Sequence, residues 1–164
     1  MSFGSIARWG VLACVLAGSL VLSACATGGN ATLTDEQKAN RAYMSQVNET
    51  MVELDASLDS FIDAVSRGDV VNMKTQADNA YKTLDKLSEL EAPETLSDVQ
   101  KKYVEGTQKL EEALDAYVDL YTEAEKAGED FDWSSYDKRI KEIQELYDSG
   151  VKALEEGDKA ASEV

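Results

Sequence analysis

The chain has 164 residues, with 32 acidic against 16 basic side chains and a formal charge of −16. Such a field repels phosphate backbones and anionic headgroups, which excludes a direct nucleic-acid role. Histidine is absent, which removes the commonest general base and the commonest transition-metal ligand.

Residues 1–24 have the layout of a secretory signal. Arg8 stands in a short start, an apolar stretch follows from Trp9 to Leu22, and the small residues Ser23 and Ala24 close it. The stretch is about 14 residues long, short of the ~20 needed to span a bilayer. The last four residues, Leu22-Ser23-Ala24-Cys25, resemble the lipobox of bacterial lipoproteins. The resemblance implies a diacylglyceryl group on the Cys25 thiol, cleavage between Ala24 and Cys25, and acylation of the new amino group. The membrane is then a partner through those chains, and two or more chains anchor stably at roughly 0.8 kcal/mol per buried methylene. The location implied is extracytoplasmic: the outer leaflet of the cell membrane, or the outer membrane if the cell has one, because Ala26 and not Asp follows the cysteine.

Arg8 is the only charged side chain before Cys25, so the processed chain keeps 15 basic and 32 acidic residues, a formal charge of −17. Cys14 lies in the removed segment, and no second thiol is left for a disulfide. Residues 25–33 are the lipidated N-terminus and a Gly-containing tether. Its eight residues 26–33 reach at most ~25–30 Å.

One proline, Pro93, and an abundance of Ala, Leu, Glu and Lys point to helix. The periodicity predicts four helices over about 34–67, 69–91, 96–127 and 133–156 within a 34–157 domain, with 158–164 as a frayed tail. Thr34-Asp35-Glu36-Gln37 reads as a capping box before apolar residues at Met44, Val47, Met51, Leu54, Leu58, Phe61 and Val65. Gly68 suits the position past the first helix, and Asp69 caps the second, which runs through Met73, Ala77, Ala80, Leu84 and Leu87 until Pro93 stops it. Ser97-Asp98-Val99-Gln100 reads as another capping box. Asp132 caps the fourth helix, with Phe131 and Tyr136 spaced as a hydrophobic staple, and Gly157 is expected to end it.

The 3.5-residue repeats and short loops predict an all-α, antiparallel up-down-up-down four-helix bundle with coiled-coil-like packing. Small residues at Ala77, Ala80, Gly106 and Ala113 are expected opposite larger ones, with room for a cavity at Ala80 and Gly106 as the alternative. Counting layers around the loops lets the 118–140 hairpin project roughly 15 Å beyond the first turn, at 1.5 Å per residue. Its tip carries Tyr121, Phe131, Trp133 and Tyr136 among Glu129, Asp130 and Asp132. These rings either pack on one another to close the end or form a partner patch.

No catalytic residue, metal site or cofactor is expected. Without histidine the di-metal sites of bundle interiors cannot be built. In the stretch from Asp130, Ser135 and Lys141 replace the glycine and glutamate of a calcium loop. Two carboxylate rows, Asp55/Asp59/Asp63 and Glu111/Asp115/Asp119, fall on outward positions where weak cation binding could relieve like-charge repulsion. Beyond the lipobox the chain is similar, in pattern only, to small secreted helical-bundle lipoproteins of unknown function. The expectation is a non-enzymatic interaction or scaffold module that meets an unknown envelope protein or a cell-wall polymer. The alternative is a small-ligand or cation-binding carrier.

Overall fold

The computed structural model describes residues 33–164. The expected signal segment, the expected Ala24–Cys25 cleavage and Cys25 lipidation positions, and all of the expected tether but Leu33 lie outside the described residues. The described chain is all-helical and contains no strand. Its helices are α1 (Asp35–Arg67), α2 (Val70–Ser88), α3 (Ser97–Ala127) and α4 (Trp133–Ser162), with 3-10 turns at Glu94–Leu96 and Gly128–Asp130. None of them is long and apolar enough to cross a membrane.

Local chemistry accounts for most of the boundaries. Thr34 Oγ1 accepts from the Gln37 N–H at 3.1 Å, and the Gln37 side chain accepts from the Thr34 N–H at 3.1 Å, so two orphan donors of α1 are satisfied reciprocally. Gly68 ends α1 at φ +65°, a left-handed conformation that disfavours any Cβ. The Asp69 carboxylate accepts from the Asn72 N–H at 3.0 Å to open α2.

The apolar stripes bury one continuous core running from Tyr43, Val47 and Leu54 on α1 through Met73 and Leu84 to Tyr103, Leu110 and Leu154. On α1 the fully buried residue of the first layer is Tyr43; Met44, expected there, is half-buried. Between α3 and α4 the backbones come close. A Cβ on Gly150 would lie 3.0 Å from the Leu110 nitrogen and 3.1 Å from the Gly106 oxygen, and one on Gly106 would lie 2.5 Å from Leu154 Cδ2. Leu154 therefore occupies the space where a cavity beside Gly106 was considered.

Three expectations need correction. First, α2 stops at Ser88, and Ser97 is not a cap: the chain enters α3 from the 3-10 turn, and no side chain bonds its first turn. The Gln100 side chain instead donates to the Leu90 carbonyl and ties down the connecting segment. That segment does not simply turn. Lys86, two residues before the end of α2, meets Glu53 at 2.8 Å, whereas Thr95 donates to Asn40 at 3.0 Å. Asn40 lies 13 residues before Glu53 on α1, or about 20 Å along its axis. Residues 89–96 thus form a strap that descends beside the lower half of α1 and ends on the buried Leu96.

Second, because α3 begins lower, it also ends lower. The Phe61 and Tyr117 rings meet edge to face at 5.8 Å, and the Tyr121 hydroxyl sits 3.1 Å from where a Gly68 Cβ would stand. Phe61 is seven residues below Gly68 and Tyr117 is ten below Ala127, so α3 outruns the first turn by about three residues, or ~5 Å. The 15 Å projection is absent. Third, the tail is not frayed: α4 continues to Ser162. Gly157 lies inside it and is buried, because a Cβ there would be 2.7 Å from the Tyr103 ring. Glycine at this position makes room for an aromatic face and does not stop the helix.

Candidate functional site: the aromatic end of the helices

The four predicted patch residues come together, but in different roles. Phe131 is 6% exposed, Tyr121 and Tyr136 are half-buried, and Trp133 is 54% exposed. Phe131 meets Trp133 edge to face with ring centres 4.9 Å apart and Tyr136 at 6.2 Å, while Trp133 and Tyr136 are 5.4 Å apart. Tyr121 lies on the inner side, stacked on Tyr117 at 6.3 Å, and Tyr117 reaches Phe61. The rings thus form two sets of three, one running out from the core of α1 and one at the start of α4, and Tyr121 and Tyr136 bring them near enough to act on one another electrostatically. Offset and edge-to-face contacts of this kind add to area burial because ring edges are positive and ring faces negative.

Capping chemistry explains the division of roles. Asp132 accepts from the Ser134 N–H at 3.0 Å and from the Ser134 hydroxyl at 2.6 Å. With Asp132 as cap, Phe131 precedes it and Tyr136 is the fourth helical residue, the two positions that close over a helix start. Trp133 is the first helical residue and is left outside that closure. The staple spacing in the sequence already carried this distinction; grouping all four rings as one patch obscured it. Burial raises the Tyr117 and Tyr136 hydroxyl pKa values, so both stay protonated at neutral pH. Asp132 is lowered, first by the Ser134 hydroxyl and then by the Ser134 N–H.

The end is acidic. Its cations are largely engaged: Arg67 with Asp63 at 2.8 Å, Arg139 with Glu123 at 2.7 Å, and Lys138 with Glu142 at 3.4 Å. Glu129 and Asp130 are exposed on the turn that leads into Phe131. No family model, curated protein or solved structure matches this chain. Its chemistry has to be read from its own residues.

The carboxylate rows offer less than the sequence suggested. Asp63 is paired with Arg67, and Asp115 accepts from the Tyr81 hydroxyl at 2.5 Å. Glu111 is raised by burial first and then by Asp85, Asp115 and Glu112, and Asp55 by burial and then by Asp59. Among the described residues, no three or more of His, Cys, Asp and Glu are grouped to hold a metal ion.

At the opposite end of the helices, the Tyr103 hydroxyl donates to Asp158 Oδ1 at 2.7 Å. Burial raises the Asp158 carboxyl, and the Tyr103 bond only partly opposes it. Burial also pushes Tyr43 up to about 12. Its hydroxyl is buried with no hydrogen-bond partner among the described residues.

Proposed function

We propose that this chain is a non-enzymatic lipoprotein of the bacterial envelope, cut behind Ala24, held on a membrane through acyl chains on Cys25, and acting as an interaction module. In this reading the helices form an antiparallel up-down-up-down bundle with coiled-coil-like packing. Cross-helix pairs whose residue numbers run in opposite senses, Arg139 with Glu123 and Lys102 with Glu156, support that arrangement. The lipobox Leu22-Ser23-Ala24-Cys25 supports the anchor. The observation that carries the interaction role is Trp133: a large ring, more than half exposed, on a base of buried rings. Aromatic side chains held rigidly at a surface lose little entropy on binding and are the usual anchors of interfaces.

With α1 33 residues long, the aromatic end stands about 50 Å from the start of the domain. That geometry suits presentation to an envelope protein or cell-wall polymer. Two measurements test the proposal. Cys25→Ser should abolish incorporation of labelled fatty acid and release the protein from membranes. Trp133→Ala should leave the helical circular dichroism unchanged and abolish partner capture from detergent-solubilised envelopes. Full capture by Trp133→Ala rejects the aromatic end as the module.

A further inference from the structure

We infer that the aromatic end recognises a cationic partner, an Arg- or Lys-bearing protein segment whose charged group lies over the exposed Trp133 ring. The inference rests on the interaction-module reading above and names the chemistry of its partner. Tryptophan has the strongest face for a cation, and the attraction grows as water is excluded. Trp133 is held by Phe131 and Tyr136 at 4.9 and 5.4 Å, so the ring is in position before a ligand arrives.

Charge selects the partner. Two helix C-termini (α1 and α3) and two N-termini (α2 and α4) meet at this end, so their dipoles largely offset one another and side chains decide the local field. Arg67, Arg139 and Lys138 are already engaged by Asp63, Glu123 and Glu142. Among the described residues at this end, Glu125, Glu129, Asp130 and Asp137 are exposed and form no ion pair, against Lys74 and Lys126. The surplus is negative and adjoins the one large aromatic ring that the described surface exposes. The other large exposed apolar residues, Val52, Val71 and Val164, carry no such ring platform. An anionic lipid surface is repelled by the same charges, and a neutral glycan would gain nothing from them.

The test uses the protein expressed from its full sequence with Trp9→Phe and purified in detergent, so that Trp133 is its sole tryptophan whether or not residues 1–24 are removed. A tetra-arginine peptide at physiological salt should shift the Trp133 emission saturably, and tetra-glutamate should not. By calorimetry, Trp133→Ala should weaken tetra-arginine binding about tenfold, as loss of a cation–π contact and its enclosure requires. Glu129→Gln with Asp130→Asn should weaken it severalfold and flatten its salt dependence. Unchanged affinity in Trp133→Ala overturns the inference, because general acidity then accounts for binding. So does an emission shift with a neutral cell-wall oligosaccharide and none with tetra-arginine. If Trp133→Ala abolishes envelope capture while tetra-arginine fails to bind, the module survives and only its cationic partner falls. If capture persists but tetra-arginine binds through Trp133, the recognition chemistry stands and the module reading falls.

Discussion

The two ends of the helices use similar residues to opposite effect. At the lower end Tyr103 is fully buried, lies against Gly157, and spends its hydroxyl on Asp158. At the upper end Phe61, Tyr117 and Tyr121 stack outward from the core, Phe131 and Tyr136 close over the start of α4, and Trp133 is left standing outside. One end is finished by a polar pair and a glycine groove. The other is finished by rings alone and has one ring to spare. The difference teaches that aromatic content by itself does not mark a contact surface; what matters is whether the rings already have partners.

Substitutions should separate the ends by the size of their effect on urea unfolding. Tyr103→Ala removes a fully buried ring, leaves the half-buried Asp158 without its donor, and should cost about 4 kcal/mol. Phe131→Ala should cost less, about 2–3 kcal/mol, since Trp133 and Tyr136 can settle into the gap at the rim. Equal losses would mean that the upper end is as tightly packed as the lower one.

Glycine provides the next contrast. Gly157→Ala drives a methyl into the Tyr103 ring at 2.7 Å, and even after alanine's better helix propensity it should lose about 1–2 kcal/mol. Gly128→Ala at the upper end meets nothing within 4 Å but is held at φ +54°, so it should lose about 1 kcal/mol through backbone strain alone. A stabilised Gly157→Ala protein would show that the Tyr103 face has slack.

Tyr43→Phe removes a buried hydroxyl that has no partner among the described residues and should stabilise by up to about 1 kcal/mol. The pH dependence probes Asp158. Its pKa is raised in the folded state, so its stabilising contribution is fully present below the ordinary aspartate value of about 4 and is lost as pH rises through the raised value. Melting temperature should therefore increase on acidification from neutral pH toward that range. Asp158→Asn, which still accepts from Tyr103, should reduce this increase. An identical pH profile in the variant would show that the Asp158 charge costs nothing. Trp133→Ala gives up ring contacts with Phe131 and Tyr136 but removes a ring about half in water, and should cost about 1 kcal/mol, less than Phe131→Ala.

Much of the fold was legible because local rules decide it. The Thr34 box, the Gly68 terminus and the Asp69 and Asp132 caps depend on residues within four positions, and all are present. What escaped is tertiary. Ser97-x-x-Gln100 is a sound cap pattern, but Gln100 has a better use on the Leu90 carbonyl of a strap that no periodicity announces. A glycine near a chain end reads as a helix stop unless one knows that a tyrosine on another helix needs its space, as at Gly157. A strict heptad favoured Met44, whereas the straight helix, with 3.6 residues per turn, brings Tyr43 inward. The aromatic residues of the site were found from the layer count that put them at the tip of the 118–140 hairpin, and their sorting into closing rings and one presented ring follows from the cap at Asp132.

The length of α1 has a consequence for how tightly the exposed ring must bind. If the chain is anchored through Cys25 as proposed, a reach of about 50 Å plus a short tether would confine Trp133 to a half-sphere above the membrane. One molecule in that volume corresponds to an effective concentration on the order of millimolar for anything held within the same reach. A contact of only millimolar strength would then be occupied much of the time at the envelope and yet release freely in dilute solution. A single aromatic face suffices for such a contact.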